Sequence, residues 1–188
     1  MAYDTTGKNQ QAATDRRVLV ERRVTPILTS RLVLQPVTRE LARAVVTGRL
    51  SDLPTGAGWP HADTADAMTM SLTAEAGPSW IVTVGGIVIG DCGGFSWPDD
   101  RGVVEIGYGL AEPFRGKGYA TEAVGAMCQW LFAEAAARVI TATATESDNV
   151  PSRRLLVKLG FTEVENTGRN VSYRLSVAAA SGSQACHS

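Results

Sequence analysis

The sequence predicts a single mixed α/β domain of the α+β kind, in which strands and helices share one core. Three observations carry that prediction. Strand-like and helix-like patterns alternate from about residue 31 to residue 176. Three successive β-runs between Ser79 and Leu110 are separated by turns so short that they must pair antiparallel. Both ends are polar and unpatterned, so residues 1–25 and 178–188 are expected to be flexible arms around one domain at 26–177.

The elements follow in order. "RLVLQPV" (Arg31 to Val37) alternates and is rich in β-formers, which predicts a strand. Thr38 is a candidate cap for a helix with Leu41, Ala44 and Val45 inward and Gly48 near its end. "SDLPTGAGWPHADTAD" reads as loop, and a helix is expected from about Thr64 to Ala76 with Met68 and Leu72 on one face. In "SWIVTVGGIVIGDCGGFSW" two β-runs meet at Gly85-Gly86, a hairpin signal, and "PDDRG" turns the chain into a third run, "VVEIGYGL". A helix is predicted from about Gly118 to Ala137, with Ala120, Ala123, Val124, Met127 and Leu131 on one face. "RVITATAT" is a strand. "NVPSRRLLVKLGF" is a helix with Pro151 in its first turn and Gly160 as its stop. Two short strands, near Thr162–Glu165 and Val171–Ser176, complete the domain.

Composition excludes several classes of function. The 188 residues carry 44% hydrophobic content, enough for one core. With 18 Lys and Arg against 19 Asp and Glu, the net charge of −1 lacks the basic excess of a nucleic-acid binder. No apolar run approaches the roughly 18 residues of a membrane helix, and no signal-peptide core stands at the N-terminus. Cys92, Cys128 and Cys186 are odd in number and widely spaced, which argues against a disulfide framework and a zinc site. A reduced, cytoplasmic protein without a bound metal is expected.

The stretch "EPFRGKGYATEA" (Glu112 to Ala123) sets Arg115-Gly116-Lys117-Gly118 at a strand-to-helix junction. Amides at a helix start lack intrahelical partners, and the helix dipole favours an anion there. Glycine lets the backbone come close to a ligand. The pattern suits either a pyrophosphate cradle or a tight basic loop. A Walker loop requires G-x-x-x-x-G-K-[ST], but Lys117 is followed by Gly118. A dinucleotide fingerprint requires a third glycine where Thr121 stands. Readings as an ATP or NAD site both fail.

"RGKGYA" resembles the [Q/R]-x-x-G-x-[G/A] signature of the GNAT superfamily of acyl-CoA-dependent N-acyltransferases. The resemblance runs from about Arg31 to Ser176. "EIGYGL", "RGKGYATEA" and "NVPSRRLLVKLGF" occur in the family's order and look most like its RimJ/RimL branch. The resemblance implies a central, largely antiparallel twisted sheet of six to seven strands, flanked by helices, with a splayed parallel strand pair that binds CoA. It implies acetyl-CoA as co-substrate and transfer of the acetyl group to a primary amine, either a protein N-terminus or a small molecule. The backbone of Tyr108, Gly109 and Leu110 is expected to pair with pantetheine. Amides from Arg115 through Gly116, Lys117, Gly118 and Tyr119 to Ala120 are expected to hold the pyrophosphate. Asn149 is expected on the pantetheine amides, besides its plain role as a helix cap, and Ser152 near the CoA sulfur. Two glycines in one short strand, Gly107 and Gly109, favour a bulge there. Family members are often dimers, so a homodimer is an expectation.

Direct attack requires a base for the amine, a donor to the carbonyl oxygen and an exit for the thiolate. Glu105 is the candidate base, as a lone acid in an apolar strand that carries a cost unless it has a partner or a function. The competing reading is a solvent-facing residue on a half-wet sheet. Many members of the family carry a tyrosine four residues beyond the Ser152 position, as proton donor to the thiolate. Leu156 stands there, which leaves Ser152 or solvent for that task. Trp59 and His61 are candidates for the acceptor pocket or an exposed loop pair. Asp63, Asp66, Asp99 and Asp100 would favour a cationic acceptor, Asp91 reads as a strand-edge residue, and Cys92 and Cys128 read as core thiols. A non-catalytic acyl-CoA-binding module is the alternative function.

Overall fold

A computed structural model describes residues 23–177. Most of the expected arms, with Cys186 and His187, lies outside the described residues. The elements are β1 (Ile27–Leu28), β2 (Val33–Pro36), α1 (Arg39–Val46), α2 (Ala62–Met70), β3 (Ser79–Val84), β4 (Ile87–Gly94), β5 (Val103–Leu110), α3 (Tyr119–Ala133), β6 (Val139–Glu146), α4 (Val150–Lys158), β7 (Thr162–Asn166) and β8 (Asn170–Ser176). The eight strands form one sheet in the order β1-β2-β3-β4-β5-β6-β8-β7. Neighbours are antiparallel except β5 and β6, which run parallel. The short β1 is the strand beyond the six to seven expected; its two residues are too few to show a period.

Local chemistry sets most boundaries. Thr38 Oγ1 accepts the Leu41 amide at 3.1 Å and starts α1. Gly85 and Gly86 both have positive φ, 57° and 81°, the backbone that a two-residue hairpin turn requires. In the following turn Asp99 accepts the amides of Arg101 and Val103, so its carboxylate is occupied in the turn. Two helices stop earlier than periodicity suggests. Ala136 adopts φ 55° beyond the end of α3. Past α2 the chain runs to Gly77, where a Cβ would sit 2.2 Å from the Gly94 carbonyl oxygen, so it enters the interior strand β3 without room for further helix.

The sheet has a core on each face. On one, Ala123, Val124, Met127 and Leu131 of α3 belong to a large buried cluster with Leu34, Trp80, Val82, Ile106 and Ile140. On the other, Ala42 and Val45 of α1 and Met68 of α2 belong to a smaller cluster with Trp59, Ile81 and Val88. The bulge expected in β5 lies in β4 instead. Val82 faces Gly90 but Thr83 faces Val88, which leaves Ile89 as an extra residue, whereas β4 and β5 pair without a shift. The bulge puts Val88 and Asp91 on the same face, that of α1 and α2.

Candidate active site

The parallel pair opens into a cleft. β5 and β6 pair at Val103–Val139, Val104–Ile140 and Glu105–Thr141, and pairing then stops while both strands continue. Odd residues of β5 direct their backbone groups to β4. The Glu105 carbonyl accepts the Phe95 amide and the Ala111 amide donates to Ile89, each at 2.9 Å. By alternation, Ile106, Tyr108 and Leu110 turn theirs toward the gap. The Leu110 carbonyl accepts from Arg115 Nε at 2.8 Å. Tyr108 therefore presents its backbone to the gap, while Gly109, expected to do the same, turns its backbone to β4 and provides space.

The basic loop closes one end of this gap. Gly116 and Gly118 adopt φ 74° and 80°, left-handed backbone that suits glycine. Gly118 is the N-cap of the 15-residue α3 and supplies no side-chain cap, so no cap side chain takes the first amides of this long helix. Arg31 fastens the loop from the far side. Its Nη1 donates to the Lys117 carbonyl at 2.9 Å, its Nε donates to Glu122 at 2.7 Å, and its guanidinium stacks 4.7 Å from the Tyr119 ring centroid. Glu122 also accepts from Thr29, Ser30 and the Arg31 amide. Burial pushes its carboxyl up, but these hydrogen bonds outweigh that effect and hold it down at about 2. Lys117 Nζ lies 5.4 Å over the Phe114 ring.

At the start of α4, Asn149 Oδ1 accepts the Ser152 amide at 3.1 Å, which is the expected cap. The Ser152 hydroxyl meets the Tyr108 hydroxyl at 2.6 Å. Leu156 is fully buried in the core and brings no polar group to the gap. Sequence reading had assigned Tyr108 only a backbone role; its side chain is an addition that a strand pattern cannot reveal.

Glu105, Gly107 and Gly109 share the other face of β5. Thr143 Oγ1 of β6 donates to the Glu105 carboxylate across the splay. A Cβ on Gly107 would sit 2.9 Å from the Phe95 ring, and one on Gly109 would sit 2.4 Å from the His61 ring. The glycines thus admit two rings against the strand. Beside them, between α2 and β3–β5, lies a cavity of about 350 Å³. His61, Asp63, Asp66, Met68, Phe95 and Tyr108 are among the residues that line it.

Asp91 is the polar centre of this face, not an edge residue. It is 7% exposed, and its Oδ2 accepts from Trp59 Nε1 at 2.9 Å and from Thr64 Oγ1 at 2.8 Å. Burial pushes its carboxyl above the ordinary aspartate value, against those two hydrogen bonds and the nearby His61. Trp59 is buried, 4% exposed, and supports the pocket from behind, so the alternative of an exposed aromatic pair is overturned. The clue to Asp91 was the one used for Glu105, an acid inside an apolar strand. Cys92 and Cys128 are buried core thiols; burial raises both, Cys128 to about 12. Among the described residues, no His, Cys, Asp and Glu cluster is placed to hold a metal, and no helix is long and apolar enough to cross a membrane.

Comparison with known proteins gives the family and the fold. Residues 31–162 match the family described as "Acetyltransferase (GNAT) domain". A curated relative, the uncharacterized N-acetyltransferase YjdG of Bacillus subtilis (strain 168), is 30% identical over 116 residues, 57% of this chain and 68% of its own length. Among solved structures, Mycobacterium smegmatis RimJ in complex with CoA-disulfide has a TM-score of 0.58 at 20% identity, covering 88% of this chain and 90% of its own. RimL, described as a ribosomal alpha-N-protein acetyltransferase and bound to coenzyme A, has a TM-score of 0.60 at 17% identity, covering 82% and 99%. At such identities the two structures show a shared fold.

Proposed function

Because this chain belongs to the GNAT acetyltransferase family, we propose that it transfers an acetyl group from acetyl-CoA to a primary amine by direct attack. The observation that carries the reading is the meeting of a splayed β5–β6 gap with the uncapped N-terminus of α3 at its edge. That arrangement offers strand backbone to an extended amide-bearing arm and helix amides to a pyrophosphate. The bound CoA in RimJ and RimL supports the same ligand here. In this reading the amides from Arg115 to Ala120 hold the pyrophosphate, Tyr108 and Leu110 face pantetheine, and Asn149 and Ser152 lie along it.

Acetyl-CoA supplies the activated thioester. Glu105, oriented by Thr143, takes the proton from the incoming amine. The Tyr108 amide, directed into the gap, donates to the carbonyl oxygen. As the C–N bond forms and the C–S bond breaks, the Ser152 hydroxyl donates to the departing thiolate. The cavity under α2 is the acceptor side, with His61 on its wall.

The test is a screen of amines and peptides that follows release of the CoA thiol, with mass spectrometry of the product. Glu105→Gln is expected to lower turnover by about 10²–10⁴-fold while acetyl-CoA still binds. Acetyl-CoA binding without acetylation across the panel would overturn the enzyme reading in favour of a non-catalytic acyl-CoA-binding module.

A further inference from the structure

The basic loop is braced by a residue far away in the chain. Between β1 and β2, Thr29 closes a tight turn: its amide donates to the Leu32 carbonyl at 3.0 Å, and its hydroxyl oxygen accepts the Leu32 amide at 2.9 Å. Arg31 stands in that turn and reaches Lys117, 86 positions on. Its Nε and Nη2 donate to Glu122 Oε2 at 2.7 and 2.6 Å, while its Nη1 donates to the Lys117 carbonyl at 2.9 Å.

The contact with Lys117 fixes an amide. In a trans peptide the C=O and the next N–H point in opposite directions, so the Gly118 N–H points away from Arg31. Among the described residues nothing accepts the amides of Gly116, Lys117 or Gly118. Gly116 and Gly118 flank this stretch with positive φ, and glycine would let the peptide units turn readily if no group held the carbonyl. A Cβ on Gly118 would stand 3.3 Å from Arg31 Nη2, so the arginine fills the space beside it.

The contact with Glu122 sets the charge. Glu122 lies in the first turn of α3 and is ionised at neutral pH. A phosphate at the same helix start would meet that like charge. Arg31 pairs with the carboxylate, and among the described residues no other cation does. We propose that Arg31 is a positioning residue for the donor, which aims the Gly118 amide at the pyrophosphate and offsets the charge of Glu122 beside it. The inference rests on the reading of this loop as the pyrophosphate site of acetyl-CoA. Arg31 lies on the phosphate end of that site, so it governs donor affinity and not the transfer step.

The experiment titrates CoA calorimetrically into wild type, Arg31→Met and Glu122→Gln, with a thermal melt of each. Arg31→Met keeps an apolar stem and removes both the cation and the hold on Lys117. Glu122→Gln removes the carboxylate charge and leaves the contact between Arg31 and Lys117 in place. Both are expected to melt below wild type at pH 7, but only Arg31→Met is expected to weaken CoA, by about five-fold or more. A merely structural brace would weaken CoA in both variants alike. The Arg31 side chain is 46% exposed, so its loss is compatible with folding. Arg31→Gln, read by the same threshold, replaces Arg31→Met should the latter lack a cooperative transition. With an acceptor from the transfer screen, the KM for acetyl-CoA should rise while kcat stays within about two-fold. The proposal is overturned by a smaller loss of CoA affinity at Arg31, by an equal loss in Glu122→Gln, or by a larger loss of kcat. Wild type that binds no CoA overturns the donor reading itself; CoA binding that ignores Arg31 overturns this proposal alone.

Discussion

The Tyr108 hydroxyl lies 2.6 Å from the Ser152 hydroxyl and ties the splayed strand β5 to the first turn of α4. Burial pushes the Tyr108 phenol above its ordinary value of 10, against the effect of the Ser152 hydrogen bond, so the group stays protonated through neutral pH. In the proposed transfer it would hold Ser152 in place and return the proton that Ser152 gives to the thiolate, solvent then reprotonating the phenol. Tyr108→Phe keeps the ring and removes the hydroxyl. We expect kcat to fall by about ten-fold with KM for acetyl-CoA nearly constant, as for loss of a group that helps a proton move. An unchanged kcat would show that Ser152 needs no such partner.

Glu122 joins the segment at Thr29–Arg31 to α3, and its stabilising effect has a defined pH window. Its folded pKa, about 2, lies below the ordinary value of 4.5. A depressed acid adds stability above its unfolded pKa and loses it as pH falls through the folded one. Glu122→Gln should therefore lower the thermal midpoint at pH 7 by several degrees, on the basis of about 2 kcal/mol for hydrogen bonds to a charged group. The gap between variant and wild type should narrow from pH 4.5 down to about 2. A gap that stays constant across that range would refute the assignment of the stabilisation to the ionised carboxylate.

Asp91 carries the opposite sign. Its folded pKa is raised above 3.8, so the folded state holds the proton more tightly than the unfolded chain. Stability then falls as pH rises from 3.8 through the raised value. Asparagine can still accept from Trp59 and Thr64 through its carbonyl, without a buried charge. Asp91→Asn is expected to melt no lower than wild type at pH 8, with its relative advantage shrinking as the pH drops below 3.8. Melting curves at both ends of that range check this. A variant clearly less stable at pH 8 would show that the ionised carboxylate stabilises the fold.

Caps and the tight hairpin turn are the local readings that held. Thr38 caps α1, Gly85-Gly86 turns the hairpin, and Asn149 caps α4, because each device acts within four residues. Asp91 was misread as an edge residue because its face is set by one extra residue, Ile89, in the pairing of β4 with β3. Periodicity within β4 alone would have placed it with Ile87 and Ile89. The two readings of Trp59, pocket or exposed pair, stay open in the sequence because its hydrogen-bond partner is 32 positions away.

Alone, the sequence determined the backbone of the basic loop and the cap of α4. Glycines with positive φ, an uncapped helix start and a capped α4 are each local conformations, and local conformations are written in short motifs. The tertiary structure alone decided the cavity between α2 and β3–β5. The facing of Asp91 and His61, the glycine floor that admits two rings, and the Tyr108–Ser152 pair all arise where separate elements meet. Such contacts depend on strand register and on the packing of α2 over the sheet, which no single stretch of the chain encodes.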